Sequence, residues 1–343
     1  MTVSRLRVLA LVHRHLIPPA KVDEGADITA EPWRTEYDVI STMAAMGHEV
    51  QPLGVHDDLG ELRRASTEWK PHIAFNLLEA FDDITIFDQN VVSHLELLKL
   101  SYTGCNPRGL LLARDKSLSK KLLAYHRIPV PEFEVFRSGR PIRRRKRLQF
   151  PLIVKSLTQE ASIGISQASV VDSDEKLRER VTFIHESIGT AAIVEQYIEG
   201  REIYVGVLGN QVLQALPVWE LFFTNMPEGA KRIATDRVKW SVKYQNKYGI
   251  DSGPAKDLPD PIRDKIQHLC KRAYRALELS GYARIDLRLD EAGHVWVLEA
   301  NPNPQIARGE DFAASAEKVG LSYETVLQRI IKLGLRWQPE SVA

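Results

Sequence analysis

The sequence predicts a mixed α/β (α+β) protein with an N-terminal open parallel α/β domain, a small central β-rich domain and a C-terminal α+β domain. Residues 1–105 alternate strand and helix patterns, a run of strand patterns follows, and two alternating strands near the C-terminus predict a hairpin. At 343 residues the chain is longer than one typical core, so two or three domains are expected.

The first part of the chain has the strand and helix order of a small open sheet with helices on its faces. An apolar run predicts a first strand, a helical period that ends at Gly47 predicts a helix, and two more strands and a helix follow. The predicted elements are Leu6–Val12, Thr35–Met46, Glu49–Leu53, His72–Leu78 and Phe87–Leu100.

Strand patterns dominate the middle of the chain. A predicted helix, Asp115–His126, is followed by Pro129 and Pro131, which break the helical pattern. The predicted strands are Phe133–Phe136, Pro151–Lys155, Ile165–Val171, Ala192–Tyr197, Glu202–Leu208 and Val212–Val218, with one helix at Asp174–Glu186. The polar stretch Phe222–Pro261 has little periodicity, and a connection of that length is expected to be a lid or a disordered segment.

Two alternating runs near the C-terminus, Tyr282–Leu289 and His294–Asn301, are the most informative feature of the sequence. A turn centred between Ala292 and Gly293 pairs them as an antiparallel hairpin. Because side chains alternate between the two faces, this register predicts one apolar face. Its members are Ile285, Leu287, Leu289, Trp296, Leu298 and Ala300.

The other face of the predicted hairpin is polar. Asp286 lies opposite Glu299, and Arg284 lies opposite Asn301. Carboxylate and amide oxygens are the hard ligands that Mg²⁺ prefers where it also binds phosphate. The alternative is a half-buried hairpin whose charges face solvent. That alternative does not explain why two acidic residues oppose each other, whereas a bound cation would remove their repulsion.

Composition indicates a folded protein without a dominant charge. The 46 basic and 45 acidic residues give a net charge of +1, which favours neither nucleic acid nor a membrane as a partner. The basic run Arg140–Arg147 lacks interleaved aromatic residues and is interpreted as a solvated loop. No apolar run has the length of a membrane span, and Cys105 and Cys270 are interpreted as reduced, buried thiols. A cytoplasmic location is expected.

A small polar loop after the predicted strand Pro151–Lys155 is a candidate phosphate site. Residues 156–164 are rich in Ser, Thr and Gly, so their backbone amides and hydroxyls can face phosphate oxygens beside the charge of Lys155. Neither GxxxxGK[ST] nor GxGxxG occurs in the sequence, which argues against P-loop and Rossmann sites. The alternative is an ordinary hairpin loop beside an extended surface lysine.

In order along the chain, these segments resemble the ATP-grasp superfamily, and within it the D-alanine–D-alanine ligase-like enzymes. The resemblance covers most of the chain, and the ordered set of motifs is specific although each motif alone is common. The matching segments are Phe75–Leu78, Tyr102–Gly104, Ala113–Lys116, Ile128–Pro131, Pro151–Lys155, Ser162–Ser166, Glu195–Ile198, Gly200–Glu202 and the final hairpin.

The resemblance implies a role for each matching residue. For ATP these are Lys116 and Lys155 at the phosphates, Ser162, Ile163 and Gly164 in a loop that closes over them, Glu195, Gln196, Tyr197 and Ile198 in the adenine linker, Glu202 at the ribose and Lys247 at the γ-phosphate. Asp286, Glu299 and Asn301 would hold two Mg²⁺ ions, for which Mn²⁺ could substitute. The catalytic residues would be Arg284, Lys247 and Ser162. For Tyr197 the alternative is a core aromatic, and for Lys247 a mobile surface loop.

The activity that the resemblance implies is ADP-forming amide or peptide bond formation between a small carboxylate and a small amine through an acyl phosphate. The enzymatic alternative is a phosphotransferase, and the third class is an ATP-binding regulatory or nucleic-acid-associated module. The implied domains are residues 1–105, 106–200 and 201–343, the last two forming the ATP-grasp unit. The family suggests a homodimer, although no residue of the sequence identifies an interface.

The two amino acid subsites depart from the family pattern. The family has a Gly- and Ser-containing turn with a glutamate after the first strand, and this chain has His13–Pro19 there. Pro302–Phe312 replaces the segment that binds the second substrate. D-alanyl-D-alanine is therefore an unexpected product, the alternative being a D-alanine–D-alanine ligase with atypical subsites. The candidate substrate residues are His13, His15, Arg308 and Glu310, for which surface positions or, at Glu310, helix capping are the alternatives.

Overall fold

In the computed structural model, residues 5–23, 25–159 and 162–339 are described, except for the side chain of Trp240. The N-terminal part contains β1 (Arg7–His13), α1 (Arg34–Ala45), β2 (Glu49–Val55), α2 (Gly60–Glu68), β3 (Ile73–Asn76) and α3 (Asp88–Leu97). The three strands pair in parallel in the order β2-β1-β3. Pro52 is tolerated because β2 is an edge strand. The predicted open parallel sheet is confirmed, whereas α2 was not predicted.

The central part is a small antiparallel sheet with helices beside it. Its elements are α4 (Pro107–Arg114), α5 (Lys116–Tyr125), β4 (Phe133–Phe136), β5 (Leu152–Ser156), β6 (Val170–Val171), α6 (Asp174–Phe183) and β7 (Ala192–Gln196), with strand order β4-β7-β5-β6. The predicted strand Ile165–Val171 is wrong except for its last two residues. Ser166 and Ser169 cap a 3₁₀ turn instead, because their side chains compete with the sheet for backbone groups.

The basic run between β4 and β5 is a loop in which three arginines form ion pairs. Arg144, Arg145 and Arg147 lie 2.9, 3.1 and 3.9 Å from the carboxylates of Asp174, Glu134 and Glu132, in that order. These pairs offset the local positive charge. They agree with the prediction of a solvated loop in preference to a basic binding surface.

The C-terminal part is built on an antiparallel sheet in the order β11-β10-β8-β12-β13, with β9 beside β8. Its elements are β8 (Arg201–Leu208), β9 (Gln214–Ala215), β10 (Trp219–Phe223), α7 (Asp236–Trp240), α8 (Val242–Tyr248), β11 (Ile250–Pro254), α9 (Asp260–Ala276), β12 (Tyr282–Leu289), β13 (Val295–Pro302), α10 (Asp311–Glu317) and α11 (Tyr323–Arg336). The predicted strand Val212–Val218 shortens to β9, since Pro217 has no N–H to donate to the sheet.

The long polar stretch was expected to be a lid or a disordered segment, and the structure contradicts disorder in it. Two short helices lie within it, with Thr235 and Ser241 as their N-caps and Gly249 in the left-handed conformation after the second. These capping residues were the sequence signal, but helices of this length carry little periodicity. Strand β11 then adds to the edge of the C-terminal sheet.

The C-terminal hairpin has the predicted register at its polar pairs and a bulge beyond them. Asp286 pairs with Glu299 and Arg284 with Asn301, as predicted. The register then shifts by one, so Leu287 faces Val297 and Leu289 faces Val295. The predicted core positions of Trp296 and Leu298 are therefore wrong. Val295 and Val297 fill the core in their place, and Leu298 lines the cleft described below.

Helix α11 connects the end of the chain to the N-terminal sheet. Its Ile330 and Ile331 belong to one buried cluster with Val8, Ile73 and Phe75 from β1 and β3. The burial of this apolar face fixes the first and last parts of the chain against each other. Among the described helices, none combines the length and apolar character that crossing a bilayer requires.

Candidate active site

A cleft of about 780 Å³ lies between the central and C-terminal sheets. Eleven residues predicted from the sequence line it: Lys116, Lys155, Ser162, Ile163, Glu195, Gln196, Tyr197, Ile198, Glu202, Asp286 and Glu299. The lining also includes residues that were not predicted, among them Lys239, Arg288, Ile233 and Leu298. Strands β5 and β7 form one wall and the β12–β13 hairpin forms the other.

A buried ion cluster forms the base of the cleft. The carboxylate oxygens of Glu195 lie 3.3 Å from Lys120 Nζ and 3.2 Å from Lys155 Nζ. Burial opposes the charge on Glu195, but the two lysines outweigh it and lower its pKa. Lys120 also donates to the Leu298 carbonyl at 2.8 Å, which ties the cluster to the bulge of β13. Glu195 thus fixes the direction of Lys155 toward the cleft.

Lys120 was missed in the sequence, although a signal was present. It lies four residues after Lys116 on α5, so the two lysines share one face of that helix. Lys116 lines the cleft, and its Nζ donates to the Gln159 carbonyl at 2.8 Å. One helix therefore supplies both a buried and a cleft-facing ammonium.

The opposite end of the cleft is apolar. Ile153, Tyr197 and Ile233 form a small buried cluster there. The linker after β7 is fixed by its backbone, since Tyr197 N donates to the Pro151 carbonyl at 2.9 Å. Such a surface can pack against a flat aromatic base.

Glu202 is held rigidly at the edge of this apolar end. Arg288 donates to its carboxylate at 2.7 Å, and the Tyr204 hydroxyl donates at 3.0 Å. Arg288 also donates to the Gly200 carbonyl at 2.8 Å. The position of Arg288 on this face could have been predicted from the sequence, because Arg284, Asp286 and Arg288 alternate along β12 and share one face.

The residues predicted to hold a metal lie on the polar face of the hairpin. Asp286 accepts two hydrogen bonds from Arg284, at 2.7 and 2.9 Å, and Arg284 stacks 4.8 Å from the ring of Tyr204. Burial would raise the pKa of Glu299, but Lys116 and other nearby cations lower it to about 2. Glu299 is therefore an anion at neutral pH.

The chemistry of this donor set fits Mg²⁺. Burial and the facing Glu299 raise the pKa of Asp286, and a divalent cation between the two carboxylates would relieve their repulsion. The Asn301 amide nitrogen is buried without a hydrogen-bond partner in the described part of the chain, so this side chain is not held elsewhere by that atom. Asp286, Glu299 and Asn301 can hold a metal at the end of the cleft occupied by the lysines.

The predicted phosphate loop lies over the cleft. Ser162 has a φ of 64° and its hydroxyl donates to the Ala234 carbonyl at 2.7 Å, which joins this loop to the segment that carries α7. Gly164 has a φ of 72° and packs beside Ile188, outside the lining. The loop and the α7 segment are therefore connected at the cleft.

The lysine that enters the cleft from this segment is Lys239 on α7, not the predicted Lys247. Lys247 lies on α8, with its Nζ 5.0 Å from the ring of Tyr248. Lys239 also lowers the pKa of Glu299, which places its charge near the predicted metal ligands. The prediction for Lys247 depended on the motif alone.

The predicted substrate residues lie outside the cleft lining. Arg308 donates to Thr42 and Glu324, each at 2.9 Å, and its guanidinium stacks 4.4 Å from the ring of Tyr323. Glu310 accepts from Arg34 at 2.9 Å. These contacts join the loop after β13 to α1.

His13 and His15 lie at the carboxyl edge of the N-terminal sheet, where His13 ends β1. Their rings are 5.3 Å apart, and each is also close to His56. Neither histidine contributes to the lining of the cleft.

Glu36, in the first turn of α1, was not predicted. Only 5% of Glu36 is exposed, and its Oε2 has no hydrogen-bond partner among the described residues. Burial, with Glu79 nearby, raises its pKa to about 7. Burial and Glu79 raise the pKa of Tyr282, which shares a face of β12 with Arg284. Glu36 and Glu79 thus lie near the Tyr282 end of β12, outside the lining of the cleft.

Comparisons with known proteins agree with this geometry. A family model described as D-ala D-ala ligase C-terminus matches residues 122–332. A D-alanine–D-alanine ligase of Desulforudis audaxviator is 30% identical over 298 residues, covering 86% of this chain and 90% of that protein. An uncharacterized protein of Sinorhizobium fredii, y4sG, is 30% identical over 320 residues, covering 89% and 90% of the two chains. The structure of a Bacillus anthracis D-alanine–D-alanine ligase complexed with ATP matches with a TM-score of 0.74 at 20% identity, covering 96% of this chain and 98% of that one.

The three sheets and the cleft between two of them have the ATP-grasp fold, and the family match makes the chain an enzyme of that class. Within that class, the chain belongs to the D-alanine–D-alanine ligase family. It is an ATP-dependent, ADP-forming carbon–nitrogen ligase of that type.

Proposed function

We propose that the enzyme joins a small amino-acid-like carboxylate to a small amine through an acyl phosphate, and that its substrates are not two D-alanines. The observation that carries this proposal is the set of facing carboxylates and three lysines around one cleft, with Arg284 hydrogen-bonded to Asp286. We also propose domain boundaries near residues 105 and 200.

ATP would lie with its base on the apolar wall around Tyr197 and its ribose against Glu202. Lys116, Lys155 and Lys239 would neutralise the phosphates. Asp286, Glu299 and Asn301 would hold two Mg²⁺ ions, with Mn²⁺ as an acceptable substitute. When bound, the metal supplies charge neutralisation for the transferring phosphoryl group.

The first step is attack of a substrate carboxylate oxygen on the γ-phosphorus, which breaks the bond to the β-phosphate oxygen and releases ADP. The second step is attack of the amine on the acyl phosphate, with loss of inorganic phosphate. Arg284 is held by Asp286 and Tyr204 beside the metal ligands, so it can stabilise the oxyanion of the tetrahedral intermediate. Ser162 and the α7 segment would exclude water, because an acyl phosphate hydrolyses readily.

The substrate side supports a change of specificity. Arg308 and Glu310 are held by Glu324 and Arg34, so both are less available to a ligand than the sequence suggested. Glu36 offers a buried carboxylate for a substrate ammonium, since a cation beside it would restore its ordinary ionisation. We therefore propose Glu36 as the ammonium-binding residue in place of the family glutamate missing from the turn after β1.

The test is Mg²⁺-dependent ADP release across a matrix of acids and amines that includes D-alanine, with Asp286→Asn as an inactive control. Release that needs one acid and one amine supports the ligase, whereas release with the acid alone favours the phosphotransferase. Activity on D-alanine alone would overturn the proposed specificity. Arg284→Ala should lower kcat much more than ATP affinity, and an equal loss of both would contradict the oxyanion role.

A further inference from the structure

Three histidines and an aspartate gather at the carboxyl edge of the N-terminal sheet, outside the ATP cleft. His13 is the last residue of β1, and its partner in the parallel register is Val55, the residue before His56. The two imidazoles therefore leave neighbouring strands side by side. Asp83 comes from the loop after β3, and His15 comes from a 3₁₀ turn directly after β1.

The donor atoms are close enough to share an ion. His13 Nε2 lies 3.3 Å from one Asp83 oxygen, and His56 Nε2 lies 4.0 Å from the other. One ligand atom from each of these three residues lies within 4.8 Å of the others. Around a tetrahedral Zn²⁺ with bonds of about 2.0–2.1 Å, ligand atoms are about 3.4 Å apart. Small side-chain rotations would bring the three donors to that spacing.

The backbone is shaped to bring these segments together. Gly54 lies under the turn that carries His15, and a Cβ there would be 2.5 Å from Ile17 Cδ1 and 3.1 Å from Arg14 Cα. A larger residue at this position would push Ile17 and the backbone of Arg14 outward, so glycine favours the close approach of the turn to β2. On the other side, Asp82 N donates to the His56 carbonyl at 2.7 Å, which fixes the loop that carries the aspartate.

The histidines also have nitrogen atoms available to a ligand. His13 Nε2 and His56 Nδ1 are buried and make no hydrogen bond within the described part of the chain. His13 Nδ1 accepts one long hydrogen bond, 3.4 Å from His15 N. Coordination through Nε2 would move the imidazole proton to Nδ1 and replace this weak contact, and the metal would satisfy the buried nitrogen.

We propose that His13, His56 and Asp83 form a binding site for a divalent transition metal of the Zn²⁺ class, with His15 as the fourth donor. Imidazole nitrogens favour Zn²⁺, Co²⁺ or Ni²⁺, whereas the all-oxygen set of the cleft favours Mg²⁺. The ion joins the segments that follow β1, β2 and β3 and so cross-links the carboxyl edge of the sheet. The two metal sites are distinguished by ligand type.

The experiment measures Zn²⁺ binding to tag-free protein in excess Mg²⁺ by competition with a chromophoric chelator. The expected result is about one tightly bound Zn²⁺ per chain, since the three donors converge on a single point. His56→Ala should weaken binding by at least about tenfold, because a direct ligand contributes at least as much as the outer groups that orient it. His268→Ala, at an exposed histidine outside the cluster, is the matched control and should bind normally.

Two further variants separate this site from the cleft and from misfolding. Asp286→Asn should leave Zn²⁺ binding unchanged, and loss of Zn²⁺ in that variant would assign the ion to the cleft and overturn the proposal. Asp83→Asn changes a side chain that is 75% exposed, so the variant should fold normally. Its affinity for Zn²⁺ should nevertheless be lower than that of the parent. Unchanged affinity in both the His56 and Asp83 variants would also overturn it. With Co²⁺ as the probe, the visible absorption of an imidazole-bound ion should require higher Co²⁺ concentrations in the His56 and Asp83 variants and stay unchanged in Asp286→Asn.

Discussion

Replacement of Glu36 by Gln tests the buried carboxylate of α1 through the pH dependence of stability. The pKa of Glu36 is about 7 in the folded protein, compared with an ordinary value of 4.5. The protonated form therefore favours folding, and its contribution is complete below pH 4.5 and lost as pH rises through about 7. At 1.36 kcal/mol per pKa unit, a shift of about 2.5 units corresponds to about 3 kcal/mol.

The Gln variant carries no charge at any of these pH values. Its free energy of unfolding should equal that of the parent near pH 4.5 and exceed it by about 2 to 3 kcal/mol at pH 8. Urea denaturation at both pH values, followed by circular dichroism, measures the difference. Glu68→Gln, at an exposed position of α2, is the matched control and should leave the free energy of unfolding nearly unchanged at both pH values.

A difference between parent and Gln variant that is the same at pH 4.5 and pH 8 would refute this reasoning. The same variant also tests the ammonium role. Binding of the ammonium group of the amino-acid-like carboxylate substrate would lower the pKa of Glu36, so the affinity of the parent for that substrate should increase from pH 6 to pH 8 more than that of the variant. If substrate affinity changes with pH in the same way in the parent and in the variant, Glu36 does not bind the ammonium group, even if its effect on stability is confirmed.

Two other substitutions test the cleft. Glu195→Gln leaves two buried lysines without their shared counter-charge and should lower the free energy of unfolding by about 3 to 5 kcal/mol. Thermal unfolding measures the change, with the exposed Glu199→Gln as the control. Equal melting temperatures for the two variants would contradict the ion cluster. Lys239→Ala should raise the KM for ATP and lower turnover, because its charge acts on Glu299, whereas Lys247→Ala should have a smaller effect. The opposite order in steady-state kinetics would restore the motif-based role of Lys247.

The sequence alone determined the features that depend on local periodicity. Alternation along β12 and β13 and the position of the turn at Gly293 were enough to place Asp286 opposite Glu299. The parallel sheet at the N-terminus and the strand that carries Lys155 followed from apolar runs with clear ends. Most of the residues predicted for ATP line one cleft, because they lie in or beside such strands.

The tertiary structure decided the features that depend on contacts between distant segments. Because of the bulge after Asp286, Val295 and Val297 lie in the core instead of Trp296 and Leu298. No local sequence pattern predicts a register shift of one residue. Lys239 entered the cleft from a segment with little periodicity. His13, His56 and Asp83 come together only when the N-terminal sheet forms, because they follow three different strands. Side-chain alternation is a property of single strands, whereas burial and the convergence of donors are set by the packing of whole elements.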